Sequence, residues 1–146
     1  MIVWRLCRAP YTVLDGEGAR RSGNRWNSAG LAVNYTAATL SLAALEYLVH
    51  VDPDLLPEDL VALKIELPDA DYPCIQAEEL ADPDDENWYR EKGDSWIRSG
   101  ASLALIVPSV IIRVENNLLV NPAHPDMERV RVLETWPFHY DARLLQ

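Results

Sequence analysis

Short segments that alternate or run apolar recur along this chain, and no regular helix separates them. IVWRLC (2–7), LAVNY (31–35), LVALKIEL (60–67) and ERVRVLETWPF (128–138) each read as strands. LALIVPS (103–109), VIIRVEN (110–116) and NLLVN (117–121) read as successive short strands, or as a strand and a turn. Without a β-α-β rhythm the chain has no route to a doubly wound parallel sheet. The pattern argues for an α+β fold with a bent, mostly antiparallel sheet and a few flanking helices. One helix is predicted from about Ala37 to His50, capped by Thr36 or Thr39 and broken by Asp52-Pro53 and Pro57. ENWYREKGDSWIRSG (86–100) suggests a second helix, or two short ones broken near Gly93. Residues 11–30, with four glycines, and the acidic, proline-bearing residues 68–86 read as loops. No repeat or low-complexity linker divides the chain, so residues 1–146 read as one domain.

Hydrophobic residues at 49% and charged residues at 25% are enough for a globular core. No apolar run approaches the roughly 18 residues of a membrane span, and MIVWRLCRAP at the start is no secretory leader. A soluble, cytoplasmic protein is expected. Cys7 and Cys74 are too few for a disulfide framework or a zinc site, so reduced, partly buried thiols are expected.

The net charge of −10 is uneven. Residues 1–30 hold Arg5, Arg8, Arg20, Arg21 and Arg25 against Asp15 and Glu17, a local +3, which leaves −13 on the remainder. A chain this acidic lacks the broad basic surface that nucleic acid requires. A small anion beside the N-terminal arginines is allowed. The acidic remainder provides solubility, and can also face a basic partner.

The predicted helix contains LSLAALEYLV (40–49), apolar or small at every position except Glu46. A helix apolar nearly all round is buried on most sides. Its one carboxylate therefore lies either on a single wet stripe with Thr39, Ser41 and His50, or in a pocket. In the pocket it needs partners, because a charge in a dry site is costly.

Other segments carry chemistry only weakly. In SGNRWN (22–27), Gly23 permits a tight turn, Arg25 offers a planar fork for phosphate or carboxylate, and Trp26 offers a stacking face. The same loop could equally pack its tryptophan on the core and leave its arginine solvated. Tyr35 ends a strand, Ser109 follows Pro108 at another strand end, and NPAHP (121–125) is a rigid turn with Asn121 and His124. Each of these is ordinary as a structural residue. GEGARRSG (16–23) is no dinucleotide fingerprint, because Arg21 stands at the third glycine position and no predicted helix follows. GxxxxGK[ST], HExxH and GxSxG are absent, and His50, His124 and His139 are too scattered for a metal site.

Taken in order, however, these pieces resemble the RES domain family. They are WRL near the start, G-x-R-W-N at Gly23–Asn27, the strand ending in Tyr35, L-x-x-L-E ending in Glu46, V-P-S ending in Ser109, and NP-x-HP from Asn121. The similarity runs from Trp4 to about Pro137. The loop at 52–59 and the acidic segment 68–86 carry no motif, and Asn24 replaces the second glycine of the common G-G-R-W. The family takes its name from an arginine, a glutamate and a serine, which here are similar to Arg25, Glu46 and Ser109.

The resemblance implies an ADP-ribosyltransferase-like fold and a toxin of a bacterial type II toxin–antitoxin pair that depletes NAD+. The implied partner is an Xre-type helix-turn-helix antitoxin, in a hetero-oligomer. NAD+ is then substrate, with no cofactor and no metal. Glu46, Arg25 and Tyr35 are implied as catalytic. Arg5, Trp26, Ser109 and Asn121 are implied in substrate binding. The acceptor of ADP-ribose stays open between water, phosphate and protein, and a non-catalytic, partner-binding module is the reading from another class.

Overall fold

A computed structural model describes residues 1–146. Six strands form one sheet: β1 (Ile2–Arg8), β2 (Asn34–Ala37), β3 (Leu60–Glu66), β4 (Ala104–Pro108), β5 (Asn116–Val120) and β6 (Arg131–Pro137). Their order is β4-β5-β2-β1-β3-β6, and every neighbouring pair is antiparallel. Three helices accompany the sheet: α1 (Glu17–Ser22), α2 (Leu40–Val49) and α3 (Glu86–Ser99). The α+β class and the antiparallel sheet are as the strand pattern indicates.

The pairing is uneven. β1 pairs with β3 along its whole length, from Ile2 opposite Glu66 to Arg8 opposite Leu60. β1 meets β2 in a single register pair, Trp4 opposite Ala37. The sheet therefore opens along the joint between its two three-stranded halves, β1-β3-β6 and β4-β5-β2. Separate apolar clusters fill the two sides. One gathers Val3, Cys7, Leu63, Ile65, Leu103 and Val120. The other gathers Trp26, Tyr89, Trp96, Val107 and Leu119.

α2 lies across the joint. The Thr39 side chain accepts a hydrogen bond from the Leu42 N–H at 3.1 Å and starts the helix. Leu42 and Ala43 pack on Ala37 of β2, while Leu40 and Tyr47 pack against Leu6, Leu60 and Ala62 on the other half. The Tyr140 hydroxyl donates to the Ala44 carbonyl and ties the C-terminal segment to this helix.

Three local expectations are corrected, and one that was open between a strand and a turn is decided. The loop at 11–30 contains α1, six residues held by ion pairs from Arg20 and Arg21 to Glu17. Its length and its glycine hid it. The strand expected at 31–35 begins only at Asn34, because Leu31 and Ala32 lie outside the ladder. Residues 110–115 form turns instead of a strand, since the Ser109 hydroxyl captures the Ile111 and Ile112 N–H groups that a ladder needs. The alternation at 128–138 enters the sheet only from Arg131, after a short 3-10 turn over Pro125–Arg129.

α3 runs unbroken through Gly93. A Cβ there would lie 1.6 Å from the Trp26 carbonyl oxygen, so the glycine marks a backbone approach and not a helix break. Cys7 is buried and Cys74 exposed, and both are free thiols. No helix is long and apolar enough to cross a membrane.

Candidate active site

The opening between β1 and β2 is a cavity of about 410 Å3. β1 lines it with Trp4 and Arg5, β2 with Asn34 to Ala37, and α2 with Glu46 and His50. Arg25 and Trp26 come from the loop after α1, and Asn117 from β5.

Glu46 is half-buried and well partnered. Its Oε1 accepts hydrogen bonds from Ser109 Oγ at 2.7 Å and from Asn117 Nδ2 at 2.8 Å. The Ser109 hydroxyl is fully buried and accepts from the Ile111 and Ile112 N–H groups at 3.1 and 3.0 Å. A hydroxyl has two acceptor lone pairs and one proton. With both lone pairs taken, its proton points to Glu46. The carboxylate is thus fixed by two neutral donors, one from each arm of the β4–β5 hairpin beside its turn, and no cation pairs with it. Its Oε2 has no protein partner and stays free for a ligand.

Two guanidinium groups share the cavity. Arg25 sits 4.9 Å above the centre of the Tyr89 ring, and its Nη1 donates to the Pro83 carbonyl at 3.1 Å. Its other N–H groups have no protein partner. Arg5 has its Nη1 buried without any partner. An unpaired, buried donor is expensive. Cationic donors left free on a cavity wall suit an anion.

Tyr35 holds the arginine loop to the sheet. Its hydroxyl donates to Asn27 Oδ1 at 2.6 Å and accepts from the Trp26 N–H at 3.0 Å. Burial pushes its phenol well above the ordinary tyrosine value, so it stays neutral and acts as a donor. Asn27, fully buried, donates onward to the Ala19 and Leu31 carbonyls. Asp94 of α3 accepts from both the Ser28 N–H and its hydroxyl, at 2.8 and 2.6 Å. The segment carrying Arg25 is therefore clamped between β2 and α3.

The structure brings Arg5, Arg25, Tyr35, Glu46 and, behind the glutamate, Ser109 to one place. One expected residue lines the cavity without the expected stacking face, and another falls elsewhere. Trp26 borders the cavity, but its ring is buried edge-on against Trp88 and Tyr89 and offers no free stacking face. Asn121 does not line the cavity. Its side chain donates to the Ile97 carbonyl and accepts from the Ala123 N–H, which shapes the turn after β5. Asn117 bonds the glutamate instead. The signal was present, since asparagine is depleted in strands and one inside NLLVN asks for a polar partner. No three metal-ligating side chains gather anywhere in the molecule.

Fold and cavity together describe a split antiparallel sheet with a carboxylate on the spanning helix. Comparison with known proteins places the chain in the same terms. The RES domain family matches residues 2–141, and the chain belongs to that family. It is 34% identical to the Prs ADP-ribosylating toxin of Sphingobium sp., over 98% of this chain and 96% of that protein. It is 36% identical to Toxin Res of Pseudomonas putida, over 99% of each. Toxin Res of Photorhabdus laumondii is 34% identical over 100% of this chain and 98% of its own. In fold the chain is similar to one in the crystal structure of the M. tuberculosis MbcT–MbcA toxin–antitoxin complex, with a TM-score of 0.77 at 17% identity, over 99% of this chain and 86% of that one.

Proposed function

We propose that this protein is the toxin of a toxin–antitoxin pair and acts enzymatically by cleaving the nicotinamide–ribose bond of NAD+. The observation that carries this reading is Glu46. One carboxylate oxygen is fixed by Ser109 and Asn117, and the other is free on the wall of a cavity that also holds two arginines.

Nicotinamide leaves as a neutral ring, so its departure needs no general acid. Positive charge develops on the ribose, and an anion beside it lowers the barrier. At 4 Å a charge pair is worth about 1 kcal/mol in water and about 4 kcal/mol at an effective dielectric of ~20. That difference of about 3 kcal/mol corresponds to roughly a hundredfold in rate. Because Ser109 and Asn117 hold the carboxylate in advance, little reorganisation is needed as charge appears. Arg25 and Arg5 bind the pyrophosphate. Tyr35, neutral and anchored, keeps the Arg25 loop in place and borders the ribose.

The free Glu46 oxygen also accepts a ribose hydroxyl or orients an attacking water, which makes NAD+ glycohydrolase activity the first expectation. A second reading keeps the cavity and transfers ADP-ribose to a protein. It is favoured by the relative named a Prs ADP-ribosylating toxin. Phosphate as acceptor would use the same cavity. A helix-turn-helix antitoxin of the Xre type that covers or enters the cavity is the partner we propose, and the structural neighbour's own complex supports a partner of antitoxin kind. Action is proposed in the cytoplasm, where NAD+ is available.

Purified protein incubated with NAD+ tests the reading through nicotinamide release. Wild type is expected to release nicotinamide, and Glu46→Gln to lose a hundredfold or more at unchanged circular dichroism. No release by antitoxin-free wild type, with or without phosphate or lysate protein, would overturn it. Labelled NAD+ chased into free ADP-ribose, ADP-ribose phosphate or protein assigns the acceptor.

A further inference from the structure

A second concavity adjoins the first. It encloses about 530 Å3 and shares Ser22, Asn24, Arg25 and His50 with the cavity at the sheet joint. Arg25 therefore stands in the wall common to both. The far side is built by Ser28 and by Glu86 and Arg90 of α3, and the lining is almost wholly polar. Arg90 Nη1 lies 3.4 Å from Glu86 Oε2, and its Nη2 donates to Asn87 Oδ1 at 2.8 Å.

A dinucleotide is too long for one end of the site alone. With the nicotinamide ribose beside Glu46 and the pyrophosphate on Arg25, the chain of the ligand continues past Arg25, into this cleft. Resting on the function proposed above, we infer that the cleft receives the adenosine half of NAD+ and that Glu86 makes the enzyme selective against NADP+. A carboxylate accepts hydrogen bonds from an unmodified ribose diol, and its charge opposes a phosphate on the same 2′ oxygen. Arg90 is the latent counterpart. While Glu86 is present Arg90 Nη1 faces it, and when that charge is removed Nη1 is free to meet a 2′-phosphate while Nη2 stays on Asn87.

The test compares kcat/KM for NAD+ and NADP+ by nicotinamide release, together with nicotinamide mononucleotide, which lacks the adenosine half. Wild type is expected to prefer NAD+ over NADP+ by at least tenfold, and to use the mononucleotide with a KM at least tenfold above that for NAD+. Glu86→Gln is expected to raise the NADP+/NAD+ ratio by at least tenfold. Glu86→Gln with Arg90→Ala is expected to lose most of that gain through a higher KM for NADP+. The same ratios are read as Kd by calorimetry in the Glu46→Gln background, where turnover does not interfere. If wild type cleaves NAD+ but treats NADP+ or the mononucleotide alike, or if Glu86→Gln leaves the ratio unchanged, the cleft assignment is wrong while the cleavage reading stands. If wild type cleaves none of the three, the cleavage reading itself falls.

Discussion

The two halves of the sheet solve different problems. In β1-β3-β6, β3 is paired on both sides over most of its length, with one bulge between Lys64 and Ile65. Val3 of β1 and Leu63 and Ile65 of β3 point inward and are fully or almost fully buried. In β4-β5-β2, the strands are only four or five residues long, and the buried positions include Asn34, Thr36 and, just past β4, Ser109. The first half is held by ladder and apolar area. The second spends buried positions on polar groups: Asn34 holds the start of α1 at Gly16, Thr36 bonds the Leu118 carbonyl, and Ser109 fixes Glu46. Polar groups in a core stabilise only when every partner is present. The half that builds the site is therefore the half most exposed to damage by single substitutions.

The largest effect is expected at Gly93→Ala. Its Cβ would meet the Trp26 carbonyl, which the clamped loop cannot move aside. A loss of about 3 kcal/mol, read by urea unfolding, is expected from such overpacking. Leu133→Ala on the half-exposed strand β6 should cost less than about 0.5 kcal/mol. Equal losses at the two positions would show that the approach of α3 to the Arg25 loop is no tighter than an exposed site on β6.

Ser109→Ala comes next. It leaves the Ile111 and Ile112 N–H groups without their acceptor and removes a donor from Glu46. About 1–3 kcal/mol of stability should go with the buried, unsatisfied groups. A fall of roughly tenfold in kcat is expected as the carboxylate loosens. Asn117→Ala should lower kcat similarly with less loss of stability, since Asn117 serves no backbone group. A kcat unchanged in both variants would show that Glu46 needs no fixing.

Alkaline pH separates the halves through two tyrosines. Burial raises the phenol of Tyr35 in β2, and that of Tyr140 beside β1 and β3 is pushed up to about 12. Both groups bind their proton more tightly folded than unfolded, so the stability they contribute is complete below about pH 10 and declines as pH rises beyond it. Urea unfolding between pH 9 and 11 should show that decline as roughly 1 kcal/mol per unit for each proton difference. Both phenols keep their proton in the folded state across that window, so Tyr35→Phe and Tyr140→Phe should each flatten the decline by a similar amount. No flattening in one variant would mean that its half leaves the phenol solvated.

The smallest effect is a difference in rate between two thiols. Cys7 is buried in β1, whereas Cys74 is exposed where residues 73–75 cover the outer edge of β4. Burial raises both thiols, and an added Glu79 charge raises Cys74 further, so neither is a reactive thiolate at neutral pH. Access then decides, and maleimide should label Cys74 first, with Cys7 following only on unfolding. Simultaneous labelling would mean that β1 opens as readily as the cover on β4.

Much of the fold was legible before any coordinates. Alternation marked β3 and β6, Thr36 or Thr39 marked the start of α2, of which Thr39 is the cap, and the lack of a β-α-β rhythm marked the antiparallel class. Where two readings stayed open, a local competition decided. Ser109 drew the N–H groups of Ile111 and Ile112 away from a strand, and Gly93 served contact with Trp26 instead of ending a helix. At the site, Arg25, Glu46 and Ser109 stood out through their motifs, while Asn117 was passed over for Asn121. Both lie in or beside one short strand, and only the register opposite Ala37 and Val107 brings Asn117 up to the glutamate.

By itself the sequence determined most of the extended segments, and that the one carboxylate of α2 would need either water or partners. Its expectation that α2 is buried on most sides is corrected, since only Leu42 and Ala43 are buried while Leu45 and Val49 are exposed. Local periodicity is a property of neighbours in the chain and can be read there, whereas burial depends on what packs against the helix. Only the tertiary structure decided between water and partners. Glu46, Ser109 and Asn117 are separated by up to 71 residues, and they meet because α2 packs on Ala37 of β2 and on Ile112 of the β4–β5 turn. Such a meeting depends on register and on closure of the whole sheet, which no local pattern encodes.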